Sequence, residues 1–359
     1  MKRTAASILL SILVSSVIYC QSISIHSQSG TDSFQISELK SLSFSLKTSL
    51  ARYSLNIHTH KGTTQVSLDN IDSLGFSPNK SLNIYTKASG PIEFPISEID
   101  SLKFSAISIP NRNSGALNGS KFMESIQSMS FSEREPLILK EFTQGNIPDF
   151  LRSMCKIKTY LTDSLNVTHE VVLEVMPDYL SIGTDDDFCR IPMGPKTAQS
   201  IANLYGCILP TRKLVNIIYS FCRVRLEPIT YTPVGNTNEL VKTFVKHNQE
   251  IETKRLALNP KPGSLTGGLK KDVVITNLLP SKPTSVAIYG WHKLDGKPIQ
   301  PLYTGHVNYY VDYSHGIRLI NSVIWLDGKE TTIQKILSDP VLYKMLSDEV
   351  GIMKQPLYK

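Results

Sequence analysis

Apolar and polar residues alternate in four short stretches near the start of the chain: "ISIH" from Ile23, "LNIH" from Leu55, "LNIY" from Leu82 and "ISIP" from Ile107. A period of two places every second side chain on one face, which predicts half-buried strands. A glycine follows each stretch, at Gly30, Gly62, Gly90 and Gly115. Next comes a second apolar run, such as "FQI" from Phe34 or "FPI" from Phe94, and then a phrase of the form SLxF that closes at Phe44, Phe76, Phe104 and Phe131. The glycine permits a turn, and the second run returns as the partner strand of a hairpin. The "SEID" piece offers a capping Ser or Asp. Leu and Phe, two apart, share one face of a third short strand. Recurrence at about thirty residues predicts stacked supersecondary units that share one core, because each is too poor in apolar residues to form its own.

After Phe131 the pattern changes. "HEVVLEVMPDYLSIG" from His169 reads as a strand or strand pair. "GPKTAQSIANLYG" from Gly194 reads as a helix with Pro195 in its first turn and Gly206 at its C-terminal end. "LPTRKLVNIIYSFC" from Leu209 predicts a second helix with Thr211 as N-cap, and "NELVKTFVKHNQEIETKRLA" from Asn238 the longest one. "NPKPGSLTGG" from Asn259 reads as a loop. Strands then dominate, in "KDVVITNLL", "TSVAIYGW", "HVNYYVDY" and "GIRLINSVIWLDG", and a last helix is expected in "TIQKILSDPVLYKMLSDE". The fold class expected is a mainly β repeat region over residues 21–131, then an α+β domain with an antiparallel sheet over residues 132–359.

The first twenty residues change this picture. Lys2 and Arg3 precede an apolar, Ser-interrupted run from Ala5 to Ile18, the form of a secretory signal peptide. The run is too short and interrupted for a membrane span. Cys20 stands where a lipid anchor would be attached. The expectation is a secreted or cell-envelope protein with no transmembrane span.

Charge adds little. The formal net charge is +7, but "TRK", "RVR" and "LKK" are isolated and no polybasic run occurs. A nucleic-acid partner is not expected, since counterion release needs clustered cations. Export bears on Cys155, Cys189, Cys207 and Cys222. Disulfides, buried free thiols and one catalytic thiol all fit an even set of thiols in an oxidising compartment.

The recurring phrases resemble the short β-repeats near the N-termini of secreted bacterial surface proteins, over about residues 23–131. That resemblance implies a scaffold or spacer. His26, His58 and His60 lie at strand ends and read as exposed surface.

The densest chemistry lies between Tyr289 and Ile320, which holds three of the eight histidines, His292, His306 and His315. Asp312, Gln300, Arg318, Trp291, Tyr310 and Tyr313 accompany them. Imidazole titrates near neutral pH, moves protons and binds metals. On one strand His306 and Asp312 would share a face, and Gly316 would allow the bend that brings His315 round. "GHVNYYVD" from Gly305 resembles the strand that carries the catalytic histidine in papain-like bacterial cell-wall amidases. The resemblance implies a cysteine nucleophile at the start of a helix, and Cys207 in "YGCILPT" is the best-placed thiol.

Three readings follow. The first is an amide or peptide hydrolase acting on cell-wall peptide, with His306 or His315 as base, Asp312 orienting it and Cys207 attacking. The second is a zinc hydrolase with His306, Asp312 and His315 as ligands and His292 as fourth ligand or base. The third is a non-catalytic glycan- or peptide-binding surface protein in which Trp291, His292, Gln300, Tyr310, Tyr313 and Arg318 contact the ligand. "GTDDDF" from Gly183 reads as a solvated turn, with a cation site through Asp186 or Asp187 as the alternative. His169 and His247 read as surface residues.

Overall fold

The computed structural model describes residues 109–359 throughout and, before them, the strand segments and the single 3-10 turn named below. The chain divides into two compact units, Met1–Ser108 and Ile109–Lys359.

The first unit is built of β1 (Ser11–Leu13), β2 (Ser22–Ser27), β3 (Gly30–Gln35), β4 (Ser41–Leu42), β5 (Tyr53–Thr59), β6 (Gly62–Ser67), β7 (Ile71–Ser77), β8 (Ser81–Thr86), β9 (Ile92–Pro95) and β10 (Ile99–Ala106), with a 3-10 turn at Ile96–Glu98. One sheet has the order β3-β2-β1-β10-β5-β6 and the other β4-β7-β8-β9. The hairpins β2–β3 and β5–β6 turn where the sequence expects, with Gly30 and Gly62 opening the return strands. Alternation is visible in burial: Leu55 and Ile57 of β5, and Leu82 and Ile84 of β8, are inaccessible to solvent. Each such aliphatic side chain stabilises the unit by about 1.5–3 kcal/mol relative to exposure. β1 falls inside the expected leader, whose other residues lie outside the described ones. So do the side chains of His26, His58 and His60.

The fourth copy of the phrase departs from expectation. "ESIQSMSF" forms no strand. Glu124 and Ser125 end α1 (Gly119–Ser125), and Phe131 opens α2 (Phe131–Thr143). The reason is a capping box: the Ser130 side chain accepts from the Glu133 backbone N–H, while the Glu133 carboxylate accepts from Ser130 N at 2.7 Å. These two helices belong to the second unit, which begins at Ile109.

The second unit mixes helices with several sheets. It continues through β11 (Cys155–Thr162), β12 (Thr168–Val175), β13 (Ser181–Gly183), β14 (Phe188–Arg190), α3 (Pro195–Leu204), β15 (Cys207–Ile208), α4 (Arg212–Phe221), β16 (Val224–Arg225) and α5 (Val241–Ala257). Then come β17 (Thr266–Gly267), β18 (Lys271–Val273), β19 (Ser285–His292), β20 (Pro298–Val307), β21 (His315–Gly316), β22 (Ile320–Asn321), β23 (Val323–Leu326), β24 (Lys329–Thr332), α6 (Ile333–Ser338) and α7 (Tyr343–Leu346). One sheet runs β15-β22-β12-β23-β24 with β11 on β12, and the sheet that carries the chemistry runs β20-β19-β18-β21. Most pairs are antiparallel as expected, but β18–β21 and β16–β17 are parallel. The last expected helix is two, α6 and α7, separated around Pro340, whose ring cannot continue a helix.

Helix chemistry follows the sequence closely. Pro195 is the first residue of α3, and Gly206 beyond its end has φ +64°. Thr211 caps α4 by accepting from Leu214 N, and its hydroxyl also donates to Leu346 O, tying α4 to α7. The helix buries Leu214, Val215, Ile218 and Tyr219 on the side that meets β19. A buried ion pair fastens α5 to β14. Arg190 reaches Asp178 through two bonds of 2.9 and 2.5 Å and Glu252 of α5 at 2.7 Å.

Among the described residues, no helix is long and apolar enough to cross a membrane.

Candidate functional site

The site grows from the parallel pairing of β18 with β21, which sets Lys271 beside His315 and Asp272 beside Gly316. Glycine is required there. A Cβ on Gly316 would stand 2.6 Å from both Lys270 Cβ and Tyr179 Cδ1. β20 lies on the other side of β19 and ends at Val307, with His306 opposite Val286. "HVNYYVDY" is therefore not the single strand expected. Tyr310 N donates to Val307 O at 3.0 Å, closing a turn, and the chain returns to β18 where Lys271 N donates to Ser314 O at 2.7 Å. The shared strand face of His306 and Asp312 is thus replaced by a turn that folds one toward the other.

Asp312 organises that turn. Its Oδ1 accepts from Ser314 N at 2.7 Å and Ser314 Oγ at 2.5 Å, an Asx-type bond to the backbone two residues on, and Oδ2 accepts from Tyr310 Oη at 3.2 Å. Burial pushes the Asp312 carboxyl up. His315, Lys271 and the Ser314 bonds outweigh it and hold the group at about 2, so it is ionised. Tyr310 in turn stacks on His306, with centroids 4.1 Å apart, and stands edge-on to His315 at 5.9 Å. His306 also meets Tyr303 edge-on at 5.0 Å. The result is a layered group: exposed Tyr303, half-buried His306 and Tyr310, then buried His315.

His315 is 1% exposed, and neither of its ring nitrogens has a hydrogen-bond partner. Burial pushes its pKa down to about 4 against the pull of Asp312, so the ring is neutral at physiological pH. His306 is shifted down as well, chiefly by burial, with Asp312 opposing. Beside them Lys271 Nζ sits 5.5 Å from the centre of the Trp291 ring, a cation–π contact. Trp291 has φ +56°, a left-handed backbone that an aromatic residue adopts only under constraint, and its Nε1 is buried without an acceptor. Its ring meets His247 and Tyr313, each at 6.1 Å.

The structure thus brings together His306, Tyr310, Asp312 and His315, with Trp291 and Tyr313 adjoining. It separates the others. Cys207 lies in β15, on the other sheet, 3% exposed, with its thiol donating to Tyr205 O at 3.4 Å. Burial pushes that thiol up to about 12, and the helix that follows is capped by Thr211, so the helix dipole does not activate it. The four cysteines of this unit are unpaired. His292 faces α4, bonded through Nε2 to Asn216 Oδ1 at 2.9 Å. Arg318 is buried and spends Nη1 and Nη2 on Met176 O and Thr266 O. Gln300 is half-buried on β20 and donates to Pro301 O. Among the described residues no three His, Cys, Asp or Glu side chains are arranged to hold a metal ion, so His306, Asp312 and His315 do not fit a zinc site as placed. Asp187 accepts from Ser120 N and Oγ at 2.8 and 2.6 Å, and Asp185 from Phe150 N; both serve to anchor α1 and its neighbours.

Sequence reasoning missed two participants. Lys271 sat in a short "LKK" read as solvated surface. His247 was expected on the surface but is fully buried, with Nε2 on Ile229 O at 3.1 Å. The signal was present: Val241, Phe244, His247 and Ile251 recur at helical spacing and form the buried face of α5. His169 is mostly covered, between Asp163 at 3.3 Å and Asp327 at 2.7 Å.

Chemically the group offers an accessible aromatic and imidazole layer over a neutral imidazole that can donate and accept, with one cation and one carboxylate alongside. No protein family model, curated protein or solved structure matches the chain.

Proposed function

We propose that the chain is a secreted cell-envelope protein whose C-terminal unit recognises cell-wall peptide, presented by an N-terminal β-rich segment that acts as a repeat scaffold. The ligand lies extended along β20 and places a polar group at His306. One observation carries this reading: β20 is the outer strand of its sheet, and near its end at Val307 it carries His306, which stacks on Tyr310 beside the unsatisfied His315. An unpaired strand edge is a template for an extended peptide, and alternate side chains then supply specificity. Ile299, Tyr303 and Val307 are exposed along the strand, with Tyr309 just beyond it. The test is equilibrium binding of the full chain to purified muropeptides and to peptide-free glycan strands. Tight binding of the peptide-bearing fragments alone, weakened about tenfold or more by Tyr303→Asp or His306→Ala, is expected. Equal binding of glycan strands moves the reading to a glycan module, and no binding to either sinks it.

Hydrolysis of an amide in that peptide is the second reading. It is favoured by the half-exposed, neutral His306 beside the ionised Asp312, which suits a general base acting on water. Product release from peptidoglycan that is lost in His306→Ala and kept in Cys207→Ala supports it. Loss in Cys207→Ala restores the thiol mechanism.

A further inference from the structure

On the sheet that the function proposed above does not use, two hairpin turns meet on a single imidazole. His169, in β12, has Nδ1 2.7 Å from Asp327 Oδ2 and Nε2 3.3 Å from Asp163 Oδ2. Asp163 lies in the turn that joins β11 to β12, and Asp327 in the turn that joins β23 to β24. Each carboxylate also organises its own turn. Asp163 Oδ1 accepts from Leu165 N at 2.8 Å and Val167 N at 2.9 Å, on either side of Asn166, whose φ of +64° is left-handed. Asp327 Oδ1 accepts from Glu170 N at 2.9 Å, and Asp327 N donates to Glu170 O at 2.9 Å. The β11–β12 tip presents Leu165 and Val167 to solvent, 68% and 50% exposed, and its other tie is Ser164 N on Val341 O at 3.0 Å.

The protons on the ring decide how many of these contacts hold. Both facing oxygens are acceptors. A neutral imidazole has one N–H and the imidazolium has two. With the ring charged, both contacts are charge-assisted hydrogen bonds. With the ring neutral, the proton stays on Nδ1, at the shorter contact, and the Nε2 lone pair faces Asp163 Oδ2. Asp163 is buried, so an oxygen left there without a donor is costly. That cost falls on the carboxylate that closes the β11–β12 turn. The bond to Asp327 is the main cause that raises the His169 pKa; burial opposes it and the bond to Asp163 adds to it. Both carboxylates are held below their ordinary range. Burial pushes Asp163 up, but the bonds from Val167 N and His169 outweigh it; Asp327 is lowered by His169 and Glu170 N.

We propose that His169 is a proton-operated clasp: its imidazolium ties the β11–β12 tip to the β23–β24 turn, and loss of the proton frees the tip that presents Leu165 and Val167. The clasp is closed in acid and opens in base. It contributes in full below the unfolded histidine value of about 6.5, and its contribution is lost as pH rises through the raised native value. The charged groups that act on the ring are Asp327 and Asp163. Their neighbours are engaged elsewhere. Lys158 and Tyr160 of β11 meet Glu170, which as the next residue of β12 points to the opposite face. Lys329 of β24 acts on Asp327, and Asp339, beyond α6, accepts from Val341 N and Leu342 N.

The experiment is amide hydrogen exchange of the full chain, read by mass spectrometry over residues 160–170 and corrected for the intrinsic pH dependence of exchange. The amides of α4 serve as the reference for opening of the whole unit. Relative to them, protection of the tip is expected to fall about fivefold or more between pH 6 and pH 9, the scale of a partly covered charge-assisted bond. His169→Gln cannot titrate and is expected to abolish that fall. Asp163→Asn is expected to reverse it. The side-chain oxygen still accepts from Leu165 N and Val167 N, which turns the new amide N–H toward Nε2. That donor suits the neutral ring and opposes the charged one, so protection is greater at pH 9 than at pH 6. Should His169→Gln fail to fold, the sense of the change in Asp163→Asn decides. Level protection in the wild type, a fall that persists in His169→Gln, or a fall of unchanged sense in Asp163→Asn overturns the proposal.

Discussion

Three histidines of the C-terminal unit are buried and held neutral, and this makes a quantitative claim about acid stability. Burial lowers His247 to about 2 and His292 and His315 to about 4. An unfolded histidine titrates near 6.5. Above that value each is neutral in both states and contributes nothing. As pH falls from 6.5 toward 4 the unfolded chain binds three protons that the native unit refuses, so stability is lost. Asp272 works in the opposite sense: with its carboxyl pushed up to about 7, the native state holds a proton that the unfolded chain lacks down to about 3.8. Three less one leaves two protons in favour of the unfolded state, a slope of about 2.7 kcal/mol per pH unit. His306, shifted down, and Glu135, shifted up by burial, offset each other in part. His169 is shifted up by its bond to Asp327 and is charged in both states below 6.5, so it adds no slope there. Urea unfolding followed by tryptophan fluorescence reads this unit alone, because both tryptophans, Trp291 and Trp325, lie in it. With an m-value of about 3 kcal/mol/M, the midpoint is expected to fall by about 1 M between pH 6 and pH 5. Asp272→Asn removes the opposing proton and steepens the slope to about 4 kcal/mol per pH unit. A midpoint that stays level, or rises as pH falls, refutes the burial of these neutral rings.

Further expectations test the parts that hold the site. Asp178→Asn leaves Arg190 buried with Glu252 as its remaining carboxylate and is expected to cost about 3 kcal/mol, measured by urea unfolding; under 1 kcal/mol would mean that the pair is not load-sharing between β14 and α5. Thr211→Ala loses the α4 cap and leaves Leu346 O without its donor, at a cost of about 1–2 kcal/mol, read as a drop in melting temperature. Alkylation at pH 8 with mass spectrometry is expected to leave Cys189, Cys207 and Cys222 unmodified in the native chain and to modify all three in urea, since burial pushes each thiol up to about 12. Rapid native labelling of Cys207 would revive it as a nucleophile.

Local rules in the sequence determined much of this molecule. Period-two alternation located β5 and β8, and the glycines at positions 30 and 62 located two hairpin turns. Pro195, Gly206 and Thr211 bounded α3 and α4, because caps and turns depend on residues only a few positions apart. The same local reading placed the chemistry between Tyr289 and Ile320. What it could not supply was register and burial. Whether His306 and Asp312 share a strand depends on the turn at Asn308–Tyr310 and on the parallel pairing of Lys271 with His315, a contact between segments more than forty residues apart in the chain. The fourth SLxF phrase has the letters of a strand, yet Ser130 and Glu133 close a capping box and make it a helix start. Cys207 precedes a helix in sequence as a nucleophile would, but the pairing of β15 with β22 carries it into the core. His247 and Asp272 gain their altered charge states from side chains that pack over them, and that packing is set by the fold as a whole.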